Sequence, residues 1–287
     1  MQIIYIGQFK VHSTEAYTAY AFRELGHTVY KLPLDFGTSE LSDLLREKRI
    51  DFVLFAKPSK IPNIKYVIDE CKIHNVKSIC WMYDLYFDLP SGFSRKPSDL
   101  LAGQDILVTT TPTDYWDNKI KHLVVRQGIH EPEYFMVKDY YDKDVRFIGS
   151  MYGDYRPKLK KFLESMPEYP FEWVGLSDEY RGIELNKLLG RTKIIIGDSV
   201  PFPKYWSNRL YEVVGRGGFL IMPDIEGIKE EIPSLVTYKY GDFDDLKEKI
   251  KYYIEHDQER EELRMICHKE MKALTYKNRV KYFLKNI

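Results

Sequence analysis

Short apolar runs alternate with segments of helical character along this chain, and this alternation restricts its fold more than any other feature. In the first half, the runs are typical of strands and the segments between them place apolar residues at helical spacing. The predicted strands are residues 3–6, 27–32, 52–55, 78–82, 106–109 and 123–125, and the predicted helices are 13–25, 40–48 and 61–74. Strands that alternate with helices predict a parallel, doubly wound α/β sheet.

The second half repeats the pattern after a break. Residues 127–144 show no sustained periodicity and predict a linker between two domains. The strands predicted beyond it are 145–150, 171–175, 193–197, 219–222 and 235–238, with helices at 184–189, 242–255, 258–274 and 276–284. We therefore expect two Rossmann-like lobes, at 1–128 and 145–275, joined by a linker at 129–144, with residues 276–287 as a closing helix.

Composition excludes several classes of protein. The 287 residues carry 43 Lys and Arg against 43 Asp and Glu, so the formal net charge is zero and gives no general attraction to nucleic acid. The three cysteines, Cys71, Cys80 and Cys267, form no CxxC pair, which favours a reducing compartment over a disulfide scaffold. No signal peptide and no apolar run of 18 residues is visible. The expected location is the cytoplasm, without a membrane span.

The stretch YWSNRLYEVVGRGGFLIMP, residues 205–223, predicts a helix followed at once by a buried strand. Ser207 or Asn208 is expected to cap the helix by accepting a backbone N–H. The glycines at 215, 217 and 218 should end it, because glycine adopts positive φ without strain.

Outside its apolar positions, this helix carries the polar residues Asn208, Arg209 and Glu212, of which the last two lie three positions apart. This spacing fits a surface ion pair, which is the commoner case and contributes about 0.3–0.5 kcal/mol. It also fits a nucleotide clamp, with the guanidinium on a diphosphate and the carboxylate on ribose hydroxyls.

The segment SNRLYEVVGRGGF, followed by a short strand, resembles the nucleotide-sugar signature of GT-B glycosyltransferases of the glycosyl transferases group 1 superfamily, most of all its CgeB-like branch. The resemblance is strongest over residues 144–279. It implies two Rossmann-like lobes with a cleft between them, a nucleotide-sugar donor held mainly by the second lobe, and an acceptor that enters from the first. The donor-binding residues that it implies are Gly7, Ser13, Gly149, Ser150, Arg156, Ser207, Asn208, Arg209, Glu212, Gly215 and Gly217.

His12 and Asp84 are the candidates for catalysis on the acceptor side, because each follows a predicted strand of the first lobe. Histidine titrates near neutrality and can act as a general base, although a hydrogen-bonded loop histidine fits His12 as well. Asp84 can orient or deprotonate an acceptor, or it can cap the next segment.

Two features bear on the donor sugar and on metal. Many members of the resembled family carry an acid eight residues before the ribose-binding Glu, where this chain has Lys204. The pairs Asp142/Asp144 and Asp242/Asp244 both read as DxD, but one falls in the linker and the other begins a helix. We interpret both as structural and predict no metal.

The leading prediction is a metal-independent, hexosyltransferase-type glycosyltransferase without a cofactor, which uses a UDP- or GDP-linked sugar as co-substrate. The acceptor is a small molecule, a glycan or DNA. One alternative is a virus-type glycosyltransferase for hydroxymethylated bases in DNA, which Arg95 and Lys96 in a Pro/Ser-rich loop favour and the zero net charge opposes. The other is a two-lobed nucleotide-sugar-binding protein without catalysis.

Overall fold

The computed structural model describes residues 1–84, 103–112, 120–175 and 178–287. It divides the chain into two compact units. The first consists of Met1–Gln127 and Tyr276–Ile287, and the second of Gly128–Thr275. The chain thus leaves the first unit once and returns to it at its carboxyl end.

The first unit is built on a parallel sheet whose strand order is β2-β1-β3-β4-β5-β6. Its strands are β1 (Gln2–Ile6), β2 (Thr28–Leu32), β3 (Phe52–Phe55), β4 (Lys77–Trp81), β5 (Ile106–Thr109) and β6 (Lys121–Val124). Between the first four strands lie the helices α1 (Thr14–Glu24), α2 (Thr38–Glu47) and α3 (Ile64–Ile73). The strand order reverses at β1, and in such sheets ligands bind beyond the carboxyl ends of the strands.

The second unit has a parallel sheet of order β11-β10-β9-β7-β8. Its strands are β7 (Lys143–Ile148), β8 (Phe171–Val174), β9 (Thr192–Ile196), β10 (Leu220–Pro223) and β11 (Val236–Tyr238). Its helices are α4 (Tyr155–Glu164), α5 (Ile183–Gly190), α6 (Arg209–Gly215), α7 (Ile228–Glu231), α8 (Phe243–Glu255) and α9 (Asp257–Glu270). The near-continuous apolar strands, such as β10, are typical of a sheet covered on both faces.

The last helix, α10 (Tyr276–Asn286), completes the core of the first unit. Phe283 is fully buried and stacks on Trp81 at 4.9 Å between ring centroids. It also meets Phe22 and Phe52 edge-on, at 6.0 and 5.9 Å. Residues more than 200 positions apart in the chain therefore share one aromatic cluster.

The glycines at the end of α6 are required by packing, and at Gly217 also by conformation. Gly217 has φ of +77°, and a Cβ on it would lie 2.3 Å from Met136 Cγ. A Cβ on Gly215 would lie 2.6 Å from Ile129 Cγ1. The residues predicted as a linker thus pack closely against the end of this helix.

Three local predictions were wrong in detail. Asn208 stands at the N-cap of α6 but makes no side-chain capping bond: its backbone is already helical, with φ of −55° and ψ of −17°, and its buried Oδ1 has no hydrogen-bond partner within the described residues. Ser207 Oγ instead donates to the Asp198 carbonyl. The helix predicted at 61–74 begins only at Ile64, after a 3₁₀ turn at Pro58–Lys60. The one predicted at 258–274 ends at Glu270 and continues as a 3₁₀ turn, Met271–Ala273.

Within the described ranges, no helix combines the length and the apolar character needed to cross a membrane.

Candidate functional site

A buried ionic cluster lies where the carboxyl ends of β7 and β9 meet. The two strands pair in parallel, which brings Gly149, directly after β7, close to Asp198, two residues after β9. The Asp198 carboxylate is 8% exposed and accepts hydrogen bonds from two guanidinium groups. Arg156 donates to it from Nε at 2.6 Å and from Nη2 at 3.0 Å, and Arg209 donates from Nη1.

Arg209 is held by backbone as well as by this carboxylate. Its Nε donates to the Ile148 carbonyl and its Nη1 to the Asp198 carbonyl, both at 3.1 Å. The second terminal nitrogen, Nη2, has no hydrogen bond within the described residues. A Cβ on Gly149 would lie 2.5 Å from Nη2, so the absence of a side chain at position 149 makes room for this end of the guanidinium.

Aromatic rings cover the faces of the two guanidinium groups. The Arg156 carbon Cζ lies 3.7 Å from the centroid of Tyr152, and that of Arg209 lies 4.5 Å from the centroid of Phe147. Cation–π contacts of this kind hold a planar guanidinium in one orientation.

The charges in the cluster sum to +1, from two arginines and one carboxylate. Burial acts to raise the pKa of Asp198, but the neighbouring Arg209 and Arg156 outweigh burial and lower that pKa below its ordinary value. Asp198 is therefore ionised at neutral pH, and one positive charge is left over to attract an anion.

Glu212 belongs to a second ionic group. Its Oε1 accepts from Asn208 Nδ2 at 3.1 Å, and its Oε2 pairs with Arg216, which is 1% exposed and also pairs with Glu133. The interpretation of Arg209 and Glu212 as a surface ion pair is wrong. Each side chain is mostly buried, and each pairs with a different residue.

The other predicted donor-binding residues of this unit have assignable contacts. Ser150 is exposed, and its carbonyl accepts from Arg156. Ser207 Oγ donates to the Asp198 carbonyl at 3.1 Å, which ties it to the arginine cluster. Gly215 and Gly217 instead face the side chains of Ile129 and Met136.

The predicted residues of the first unit lie after the carboxyl ends of β1 and β4. His12 has φ of +63°, and its Nδ1 is 3.0 Å from the Tyr17 hydroxyl. Asp84 is exposed, three residues beyond β4. Ser13 caps α1 by accepting from Ala16 N at 3.2 Å. Their roles in catalysis and binding stay predictions.

Gly7 lies close to an ion pair that the sequence did not reveal. A Cβ on Gly7 would be 3.2 Å from Glu15 Cγ, and the buried Glu15 pairs with Lys57 at 2.8 Å. Lys57 adopts the left-handed conformation, with φ of +54°. The pair therefore ties the start of α1 to the end of β3.

The DxD acids and Lys204 have local partners. Asp142 and Asp144 pair with Arg146 and Lys193, both at 2.8 Å. Asp242 caps α8 by accepting from Asp245 N. Lys204 has φ of +57° and lies 3.3 Å from Glu226.

The described residues contain no group of three or more His, Cys, Asp and Glu arranged to hold a metal ion. Arg95 and Lys96 lie outside the residues that the structure describes.

Asp198, Arg216 and Glu133 are the members of the two ionic groups that sequence reasoning missed. Asp198 directly follows an apolar strand run, and polar residues at that point of a parallel sheet tend to reach the ligand side. That signal was available for Asp198. No local signal marks Glu133, because its partner is 83 residues away.

Comparisons with known proteins bear on the fold and on the family that the second half of the chain resembles. Residues 144–285 match the family model described as glycosyl transferase-like. No curated protein matches the chain.

Solved structures share the fold over nearly the whole chain. Anabaena HepE in complex with UDP-glucose has a TM-score of 0.67 at 8% identity, with 100% of both chains covered. The OtsA apo structure has a TM-score of 0.66 at 10% identity, with 99% of this chain and 98% of that chain covered. The trehalose-6-phosphate synthase of Burkholderia multivorans has 0.60 at 8%, with coverage of 99% and 95%. The predicted fold class of two Rossmann-like α/β units, as in GT-B glycosyltransferases, is confirmed.

Proposed function

We propose that this protein is a glycosyltransferase that takes its sugar from a nucleotide-diphosphate donor and holds the diphosphate at the Asp198 cluster. The observation that carries the proposal is Nη2 of Arg209, which has no acceptor within the described residues and lies where a Cβ on residue 149 would clash with it. The match of residues 144–285 to a glycosyl transferase-like family supports it.

The chemistry of the cluster suits a diphosphate. A guanidinium fixed on one side presents its remaining N–H groups in a rigid plane, which matches the oxygens of a phosphate. The net charge of +1 adds electrostatic attraction in a region that is largely shielded from water. Because residue 149 is a glycine, no side chain at that position displaces the Nη2 end of the guanidinium.

Glu212 is the proposed ribose ligand. Its side chain is 15% exposed and therefore not fully enclosed by the protein. Asn208 and Arg216 fix its orientation, while each carboxylate oxygen keeps a lone pair for a hydroxyl donor. Two vicinal hydroxyls are the donors that a fixed carboxylate of this kind suits best.

In the proposed reaction, the bond between the sugar's anomeric carbon and the diphosphate oxygen breaks, and a bond to an acceptor oxygen forms. The acceptor proton goes to a base, and the diphosphate departs with additional negative charge. Arg209 stabilises that charge, and we infer that this lets the reaction proceed without a metal ion. UDP- or GDP-linked hexoses are the proposed donors, as in HepE, whose structures contain UDP and UDP-glucose.

The acceptor side is assigned to the first unit. His12 and Asp84 are the proposed base and orienting group, because both follow carboxyl ends of strands in the same sheet. The free, buried thiols Cys71, Cys80 and Cys267 suit the proposed cytoplasmic location. The CgeB-like branch stays a prediction.

Binding of donors to four variants tests the proposal. UDP, GDP and their hexose conjugates are titrated by calorimetry, with thermal shifts as a second readout. Arg209→Ala should weaken the best donor about 10- to 100-fold, since a hydrogen bond to a charged group contributes about 1.5–3 kcal/mol. Gly149→Ala should do so too, because its Cβ displaces the guanidinium. Glu212→Gln should weaken the binding of nucleotides with an intact ribose more than the binding of their 2′-deoxy analogues. Arg191→Lys, in an exposed pair with Asp139, is the control and should bind like the wild type.

Turnover then separates an enzyme from a binder. Release of nucleoside diphosphate from a bound donor, unchanged by EDTA, is expected for the enzyme. Donor binding without hydrolysis or transfer across a panel of sugars would instead favour the non-catalytic alternative. If no nucleotide binds the wild type at millimolar concentration, the proposal is wrong.

A further inference from the structure

The hydrogen bonds of Arg156 leave it little capacity for a ligand. Its Nε and Nη2 both donate to the Asp198 carboxylate, Nη2 also donates to the Tyr152 hydroxyl at 2.8 Å, and Nη1 donates to the Ser150 carbonyl. The side chain is 5% exposed. Of its five N–H groups, four are therefore already committed within the protein.

Arg209 is bound on one side only. Its Nε and Nη1 are committed to two carbonyls and to the Asp198 carboxylate, whereas both N–H groups of Nη2 lack an acceptor in the described part of the chain. The side chain is 10% exposed, and Nη2 is the atom nearest to the position that a Cβ of residue 149 would occupy. The two arginines of the cluster therefore differ in what they can offer to an anion.

We propose that Asp198 is the positioning residue of the donor site: it fixes Arg156 as an internal support and turns the unpartnered edge of Arg209 towards the donor phosphates. This inference rests on the proposed function and deepens it. One guanidinium, and not two, then contacts the diphosphate, and the aspartate acts on the donor only through that guanidinium.

If Asp198 acts through its charge, its removal should change diphosphate affinity in one direction, and if it acts by positioning Arg209, in the opposite direction. Removal of Asp198 raises the charge of the cluster from +1 to +2, so attraction alone would tighten the binding of a diphosphate. If Asp198 positions Arg209, its removal frees the guanidinium to adopt other rotamers and binding weakens. A fixed group binds more tightly because less conformational entropy is lost on binding.

The test compares Asp198→Ala with the double variant Arg156→Gln/Asp198→Asn. The double variant keeps the cluster at +1, since only Arg209 remains charged. Its amides preserve size but replace the charge-assisted bond that holds Arg209 with a weaker neutral one. The single variant instead leaves two buried cations without their carboxylate. Both variants are titrated with UDP and with inorganic pyrophosphate, and thermal unfolding checks the fold. We expect about tenfold weaker binding of both ligands in each variant.

A double-mutant cycle then shows whether Asp198 acts through Arg209. In the Arg209→Ala background, the double substitution at 156 and 198 should change the UDP dissociation constant less than twofold, because the group that Asp198 positions is already absent. In the Glu212→Gln background, it should retain its full tenfold effect. A structural defect would weaken binding in both backgrounds alike.

Steady-state kinetics supply a further readout. The donor KM should rise in the double variant, and kcat should fall as well, because the phosphates carry more charge in the transition state. Unchanged or tighter UDP binding in both variants, or additivity with Arg209→Ala, would overturn the inference while leaving the proposed function intact. Absence of nucleotide binding by the wild type would instead remove the proposed function itself.

Discussion

His268 shows at the scale of one residue how packing sets protonation. Its ring stacks on Tyr134 with 4.4 Å between centroids, and its Nδ1 lies 3.3 Å from the Val214 carbonyl. Burial lowers the pKa of this imidazole below its ordinary value, with the charge of Arg264 acting in the same direction. The folded protein therefore favours the neutral ring, with Nδ1 as a donor.

From this direction we predict that the protein loses stability as the pH falls from 8 towards 5.5. Below a pH of about 6.5 the unfolded chain binds a proton at His268 that the folded chain does not yet bind, so acidification favours unfolding. His268→Gln removes this proton uptake and should flatten the dependence of the melting temperature on pH. At pH 8 the imidazole is neutral in both the folded and the unfolded chain, so the difference in melting temperature between variant and wild type reflects packing alone. Changes at lower pH are compared with this difference. An equally steep dependence in the variant would contradict the prediction.

Helix capping decides the beginnings of elements and depends on what else a side chain can reach. Ser13 caps α1 and also donates from its hydroxyl to the Gln8 carbonyl at 2.9 Å, so it fixes the loop after β1. Ser207 and Asn208 look equally suited to cap α6, yet they bind the Asp198 carbonyl and the Glu212 carboxylate. The same residue types thus serve structure at one helix and the arrangement of the site at another.

Replacement of the cap tests this difference. Ser13→Ala should lower the free energy of unfolding by about 1 kcal/mol, since one backbone N–H of α1 loses its acceptor. The control is Ser39→Ala, an exposed position inside α2, where the change should stay within about 0.5 kcal/mol. Urea denaturation measures both. A Ser13→Ala variant as stable as the control would show that the cap contributes nothing.

At the scale of the whole molecule, the chain closes the first unit with its last residues. Tyr276, Val280 and Phe283 of α10 are buried in the same core as β1 and β4. Loss of these contacts would remove the aromatic side chains that α10 supplies to this core.

Phe283→Ala should therefore destabilise the first unit by about 3–5 kcal/mol, because a fully buried aromatic side chain is lost and a cavity is left. Tyr282→Ala, next to it but 51% exposed, should change stability by no more than about 0.5 kcal/mol. Urea unfolding followed by fluorescence and far-UV circular dichroism gives both values. Similar losses in the two variants would mean that α10 does not pack as described.

Sequence periodicity predicted the order of the strands and of the longer helices, because apolar alternation and helical spacing are local properties that reflect which face of an element is buried. It missed the four-residue helix α7, Ile228–Glu231, which is too short to show a period. It also pointed to Arg209, Glu212 and the glycines after them.

The partners of these residues were decided by tertiary structure. Parallel pairing of β7 with β9 brings Asp198 to Arg156 and Arg209, and packing of residues 129–136 on α6 brings Glu133 to Arg216. Spacing along the chain cannot reveal such pairs, because a buried charge is stabilised by whichever opposite charge the fold brings within a few ångströms, however distant it is in sequence.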